Sequence, residues 1–200
     1  IDFYSSNPQA RSAFGKAIKD HRDDWVIEGH LCSVWKNDQY LRTRKIDEVK
    51  AGFEDLLVRL KTDYVDVGMI HYVDSQEDFD EVFTGEVIAY ALELKKQGKI
   101  KHIGLSSHNP MIARKAIETR LIDVLLFSIN PCYDMLPASE NVDDLWADEN
   151  YEKPLTNIDS DRQALYELCE RENVAITVMK AFGGGDLLDA QLSPFGVSMT

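Results

Sequence analysis

Six places in this 200-residue sequence put a reactive side chain within or just past a short apolar run. Asp2 lies in the first, His30 follows the second, His71 closes the third, Ser106-Ser107-His108 closes the fourth, Asn130 the fifth and Lys180 the sixth. Imidazole titrates near neutral pH and serves as acid, base or metal ligand. A neighbouring carboxylate can orient it, while hydroxyl, amide and ammonium groups can hold a polar or charged ligand. Any one of these residues is equally at home as a hydrogen-bonded structural group, but their recurrence at the same point of a repeating pattern favours one shared site. Tyr4 stands two residues after Asp2, so in a strand its phenol points to the same side. Cys132 also lies near a strand end, but nothing in the sequence argues for a low thiol pKa, so it reads as a small buried residue.

Positioning such a set requires strands whose ends share one edge. Short apolar runs alternate with amphipathic ones along the chain, the signature of βα units around a parallel sheet. Strands are expected at residues 1–4, 25–28, 64–70, 100–105, 124–129 and 175–179, several of them continuously apolar as in a sheet covered on both faces. Helical spacing is clearest over 47–60, where Val49, Phe53, Leu56, Leu57 and Leu60 share a face. Further helices are expected at 9–19, 86–97, 112–119 and 161–173, with Asn109-Pro110 and Asp159-Ser160-Asp161 as N-terminal caps and Gly98 as a stop. Right-handed crossovers then wind six strands in order into a curved sheet, most of an α/β (β/α)8 TIM barrel, whose chemistry sits where strands end and βα loops begin. A complete barrel takes about 250 residues, so an incomplete barrel of about six βα units, one domain over 1–200, is expected. The stretch 133–157 is long, acidic and aperiodic, as a lid, docking surface or solvated loop would be. Ile1-Asp2-Phe3-Tyr4 reads as the inside of a strand and the last eight residues as a loop, so the sequence is expected to continue at both ends.

Composition narrows the partners. With 44% hydrophobic residues the chain can bury a core, and its net charge of −13, uninterrupted by a Lys/Arg cluster, argues against nucleic acid or an anionic membrane surface. Three widely spaced cysteines fit a reducing compartment better than a disulfide framework. No apolar stretch approaches the roughly 20 residues of a membrane span, and no basic-then-apolar leader is evident. A cytoplasmic setting is the expectation.

Three motifs then resemble one family. LKTDYVDVGMIH at 60–71 looks like the aldo-keto reductase segment running from helix to strand to catalytic His, GKIKHIGLS at 98–106 resembles its next strand, and FGKAI at 14–18 matches the helix after its second strand. The resemblance spans the family's second to seventh strands. Met179-Lys180 followed by Gly183-Gly184-Gly185 is most similar to the branch whose members often carry a C-terminal iron–sulfur extension, whose cysteine cluster is not in this sequence. The family is an NAD(P)H-dependent oxidoreductase family acting on small carbonyl or alcohol substrates through an Asp, Tyr, Lys and His tetrad. By this alignment Asp2 and His71 fall on the Asp and His positions, Asn7 on the Tyr and His30 on the Lys. The resemblance implies that Ser106 and Ser107 hold the carboxamide of NADP or NAD, with Asn130 at the following strand end. It makes Met179 an apolar platform and starts a pyrophosphate loop at Lys180, Ala181, Phe182 and Gly183. Leu126 replaces the family's Gln.

With the usual proton donor and its activator both replaced, a rearranged acid built from His30, His71 or Tyr4 is one expectation. Two others stand beside it. Asp2, His30, His71 and His108 could bind a divalent metal and run hydrolysis or isomerisation, or the chain could be a non-catalytic relative that keeps only the barrel and its binding capacity.

Overall fold

The computed structural model describes residues 1–4, 7–145, 147–152 and 157–199. Its main sheet is built from β1 (Asp2–Phe3), β2 (Glu28–Leu31), β5 (Val65–Ile70), β6 (Ile100–Ser107), β7 (Val124–Ser128) and β8 (Ala175–Met179), hydrogen-bonded in that order. Every pairing is parallel, with Asp2 opposite Glu28, His30 opposite Met69, Met69 opposite Gly104 and Leu105 opposite Leu125. All carboxyl ends therefore open at one edge of the sheet. A separate antiparallel hairpin, β3 (Ser33–Lys36) and β4 (Gln39–Arg42), follows β2. The helices are α1 (Pro8–Ile18), α2 (Ile46–Leu60), α3 (Gln76–Thr84), α4 (Glu86–Lys96), α5 (Pro110–Glu118) and α6 (Ser160–Glu172). This is an α/β fold of TIM-barrel type, with strands wound in sequence and helices in the crossovers.

Burial on both sheet faces explains the near-continuous apolar strands, and β5, VDVGMI, is buried throughout. One cluster joins strand residues Ile70, Ile103, Leu105 and Leu125 to the helical stripe Val49, Phe53, Leu56, Leu57 and Leu60. A smaller one gathers Val67, Met69, Val124 and Leu126, with Met179 packed against it. At Gly15 in α1 an added Cβ would stand 2.3 Å from the Arg59 carbonyl oxygen, so α1 and α2 touch backbone to backbone there. The two expected caps form: Asn109 accepts from the Met111 amide at 3.0 Å and Asp159 from the Asp161 amide at 2.9 Å. Gly98, at φ 74°, ends the turn after α4.

Three expectations need correction. The second strand is Glu28–Leu31, not residues 25–28, so His30 lies inside a strand rather than after one. Polar Glu28 and His30 point into the buried site, while Trp25 and Val26, the apolar lure in the sequence, are exposed. The hairpin was not expected, although its turn, Asn37-Asp38, has φ of 54° and 59°, the left-handed pair that a tight hairpin turn requires. Helix α3 was also unexpected, despite Ser75 capping it by accepting from the Asp78 amide at 3.1 Å. The described part of 133–157 folds as short 3-10 turns, Tyr133–Met135, Val142–Leu145 and Asp148–Asn150; residue 146 and residues 153–156 of that stretch lie outside the described residues.

Candidate active site

At the carboxyl edge of the sheet a cavity of about 440 Å³ is lined by Asp2, Tyr4, His30, Tyr40, His71, Tyr72, Ser106, His108, Leu126, Met179 and Lys180. Strands bring most of these: β1 carries Asp2 and leads to Tyr4, β2 carries His30, β5 runs straight into His71, β6 ends on Ser106 and β8 on Met179. The hairpin brings Tyr40 from outside the barrel sheet.

These side chains form one connected line. His30 Nε2 lies 2.9 Å from Asp2 Oδ1, a close charge contact set off the direction of a hydrogen bond. His30 Nδ1 meets His71 Nδ1 at 2.9 Å, and His71 Nε2 meets the Tyr40 hydroxyl at 2.6 Å. The rings enclose one another as well, with Tyr4 stacked on His71 at 5.6 Å and 24°, and edge-on to Tyr40 at 5.9 Å. Burial, with His30 next, pushes the His71 imidazole down to about 2, so His71 is a neutral ring at any working pH. Burial also raises the Tyr40 phenol, which keeps its proton. Below the line, buried Glu28 has its carboxyl pushed up by burial and by Asp2.

Arg44, in the segment between β4 and α2, donates to the His71 carbonyl at 2.7 Å and the Tyr72 carbonyl at 2.6 Å. Tyr72 has φ 56°, and its amide donates to Ser106 Oγ at 2.8 Å. On the other wall, Asp74 accepts from Ser107 Oγ at 3.0 Å, from the His108 amide at 2.7 Å and from His108 Nδ1 at 2.8 Å. Asp74 is 1% exposed, so this carboxylate is fully enclosed by its donors.

The residues expected at the site thus divide. Asp2, Tyr4, His30, His71, Ser106, Met179 and Lys180 share the cavity with His108 and Leu126. Asn7 is not among the lining residues; its Oδ1 accepts from the Ala10 amide at 2.8 Å and caps α1. Ser107 is fully buried on Asp74. Asn130 binds the Lys180 carbonyl at 2.9 Å and accepts from the Cys132 and Tyr133 amides, and with Gly183 it lines a second cavity of about 180 Å³. Ala181 and half-exposed Phe182 continue from Lys180 toward the 3-10 turn Gly183–Leu188. The three cysteines are free and buried, and burial raises the Cys132 thiol to about 11, as a packing residue requires. Sequence reasoning missed Tyr40, Tyr72, Asp74 and Arg44. The available signal was alternating Val34-Trp35-Lys36 and Gln39-Tyr40-Leu41 around a two-residue turn.

A metal centre is not favoured. Among the described residues no three His, Cys, Asp or Glu are grouped to hold an ion, because His30 and His71 turn their Nδ1 atoms on each other and His108 turns its own on Asp74.

A wound parallel sheet with acid–base side chains at its carboxyl edge defines the class, a barrel-type enzyme fold with its site at the strand ends. The chain matches the model of the Aldo/keto reductase family over residues 2–198 and belongs to that oxidoreductase family. It is 31% identical over 129 residues to the aldo-keto reductase YhdN of Bacillus subtilis (strain 168), covering 64% of this chain and 36% of the relative. It is 35% identical over 71 residues to the methylglyoxal reductase DkgB of Escherichia coli O157:H7, covering 36% and 26%. The fold is similar to the holo form of aldo-keto reductase AKR11C1 from Bacillus halodurans, with TM-score 0.62 and 20% identity over 90% of this chain and 51% of that one. The matches to YhdN and DkgB thus span about a third or less of those relatives.

Proposed function

We propose that the protein is a nicotinamide-dependent oxidoreductase that interconverts a small carbonyl compound and its alcohol, with its proton carried by Asp2, His30, His71 and Tyr40 in place of the family's Tyr and Lys. The observation that supports this reading is the hydrogen-bonded line from His30 through His71 to the Tyr40 hydroxyl at the cavity wall, with Asp2 Oδ1 in close contact at its far end.

The cavity suits a nicotinamide. Met179 and Leu126 offer it an apolar surface and Ser106 a hydroxyl. Beyond Lys180 the consecutive glycines 183–185 all have positive φ, and at Gly184 and Gly185 an added Cβ would meet nothing within 4 Å, so that loop leaves room for a phosphate chain. When bound, the reduced nicotinamide supplies the hydride. NADP or NAD is the cofactor of this reading; an iron–sulfur cluster would need ligands from outside this sequence, whose three cysteines are free and buried.

In the reducing direction Tyr40 gives its proton to the carbonyl oxygen as the carbon gains hydride. The phenolate is refilled from His71 Nε2–H, while His71 Nδ1 takes the proton of His30 Nδ1–H. His30 gives up that proton beside the Asp2 carboxylate. His71 changes only which nitrogen carries its proton, the task of an imidazole that is not charged. Oxidation of the alcohol runs the same line backward. Tyr4, stacked on His71, holds that ring in place.

Titrating NADPH and NADH against the protein while following nucleotide fluorescence tests the cofactor class, and binding of at least one is expected. His71→Ala and His30→Ala are each expected to lower turnover of small aldehydes and ketones about 100-fold or more. Binding of neither nucleotide would leave a non-catalytic relative, and unchanged turnover in both variants would show that the line carries no proton.

A further inference from the structure

The wall opposite Tyr40 holds polar groups that the proton line leaves unused. His108 has its Nδ1 held at 2.8 Å by the enclosed carboxylate of Asp74, which orients the ring where it lines the cavity. Asn109, two residues past the end of β6, secures the other partner by donating to the Asp74 carbonyl at 2.9 Å. Lys180 lines the same cavity from the end of β8; burial pulls its ammonium pKa down, and Asp74 and Asp143 oppose that only in part.

The backbone points the same way. Lys180 and Tyr72, both bordering this cavity, have φ of 56°, a left-handed conformation that is unfavourable for an L-residue. Asn130 pins the first on its carbonyl, while Ser106 and Arg44 pin the second. Left-handed non-glycine residues held by their surroundings cluster where a site needs a side chain aimed.

Charge selects the ligand. The protein carries −13 overall, yet this cavity has His108 and Lys180 on one wall, with Arg42 and Arg44 near enough to oppose protonation of His71. Acidic groups face these elements too: Asp2 faces His30, Asp74 is enclosed by three donors, Asp74 and Asp143 act on Lys180, and Asp78 pairs with Arg42 and Arg44 at 3.4 and 3.5 Å. The Lys180 ammonium in this cavity attracts an anion, and a carboxylate attached to the carbonyl being reduced would meet it and the His108 ring in the same cavity as Tyr40.

We propose that His108, held by Asp74, and Lys180 bind the carboxylate of the substrate, so that the enzyme reduces a short oxo acid and oxidises the matching hydroxy acid. This rests on the oxidoreductase reading above. A nucleotide phosphate shares the same chemistry, and the experiment separates the two.

Turnover of 2-oxobutanoate is compared with that of its methyl ester and of butanone, using whichever nucleotide binds, and oxamate, a carboxylate that is not reduced, is titrated calorimetrically. The acid is expected to exceed the ester in kcat/KM by about 100-fold. Lys180→Met, and His108→Asn, which keeps a donor for Asp74, are each expected to raise KM for the acid roughly 10- to 100-fold with a much smaller change in kcat, and to weaken oxamate equally. Lys180→Arg is expected to restore most of the loss. Equal use of acid and ester, or an acid preference that survives both substitutions, would overturn the proposal; so would variants that weaken nucleotide and leave oxamate unchanged. Oxamate binding that depends on both residues, without turnover of any carbonyl, would support the anion site and sink the oxidoreductase reading instead.

Discussion

Burial is what lets His71 act as a relay. A solvated imidazole would pick up a charge near neutrality, whereas this one, flanked by His30, Tyr4 and Tyr40, stays neutral down to about 2. That depression has a cost in acid. Below about 6.5 the unfolded chain protonates this residue and the folded protein does not, so the unfolded state binds more protons and stability falls as pH drops, by up to about 1.4 kcal/mol per pH unit. Urea unfolding at pH 7 and pH 5 is expected to show His71→Gln losing about 2 kcal/mol less than the parent over that interval. Equal losses would mean that His71 is solvated or charged in the folded state. Asp2, His30 and His71 were legible in the sequence because they sit in or beside apolar runs. Asn7 was misleading: an Asn before Pro at a helix start is first of all a cap, and here it serves as one.

Elements explain which parts of the site the sequence hid. The parallel strands and five of the six helices follow from alternating periodicity, because the central strands β5 and β7 are buried on both faces and each helix on one. β2 is the exception. Its EGHL sequence carries Glu28 and His30 yet is buried throughout, so polar residues stand where the pattern looked for an apolar run. The β3–β4 hairpin lies outside the barrel sheet, where the βα rhythm says nothing, and Tyr40 was lost with it. Its turn supplies a direct test. Asp38→Pro demands φ near −65° where 59° is found, so it should disorder the hairpin while the barrel core persists. Turnover is expected to fall about 100-fold with far-UV circular dichroism and nucleotide affinity little changed. Normal turnover in Asp38→Pro would remove the hairpin from the site.

At the scale of the molecule, the sheet does what no local segment can. Residues separated by up to 178 positions, from Asp2 to Lys180, line one cavity because parallel strands wound in order place all their carboxyl ends at one edge. The family follows from the match over residues 2–198, and the cavity at the carboxyl edge gathers His30, His71 and the hairpin's Tyr40, the residues proposed above to stand in for the family's Tyr and Lys. Whether that replacement works as an acid is the central question, and Tyr40→Phe addresses it with the smallest possible change, one oxygen. With nucleotide at matched occupancy and a small aldehyde or ketone as substrate, kcat of Tyr40→Phe is expected to fall by about 100-fold or more while the nucleotide dissociation constant holds. Full turnover by Tyr40→Phe would contradict the account, since the line from Asp2 would then end without its donor.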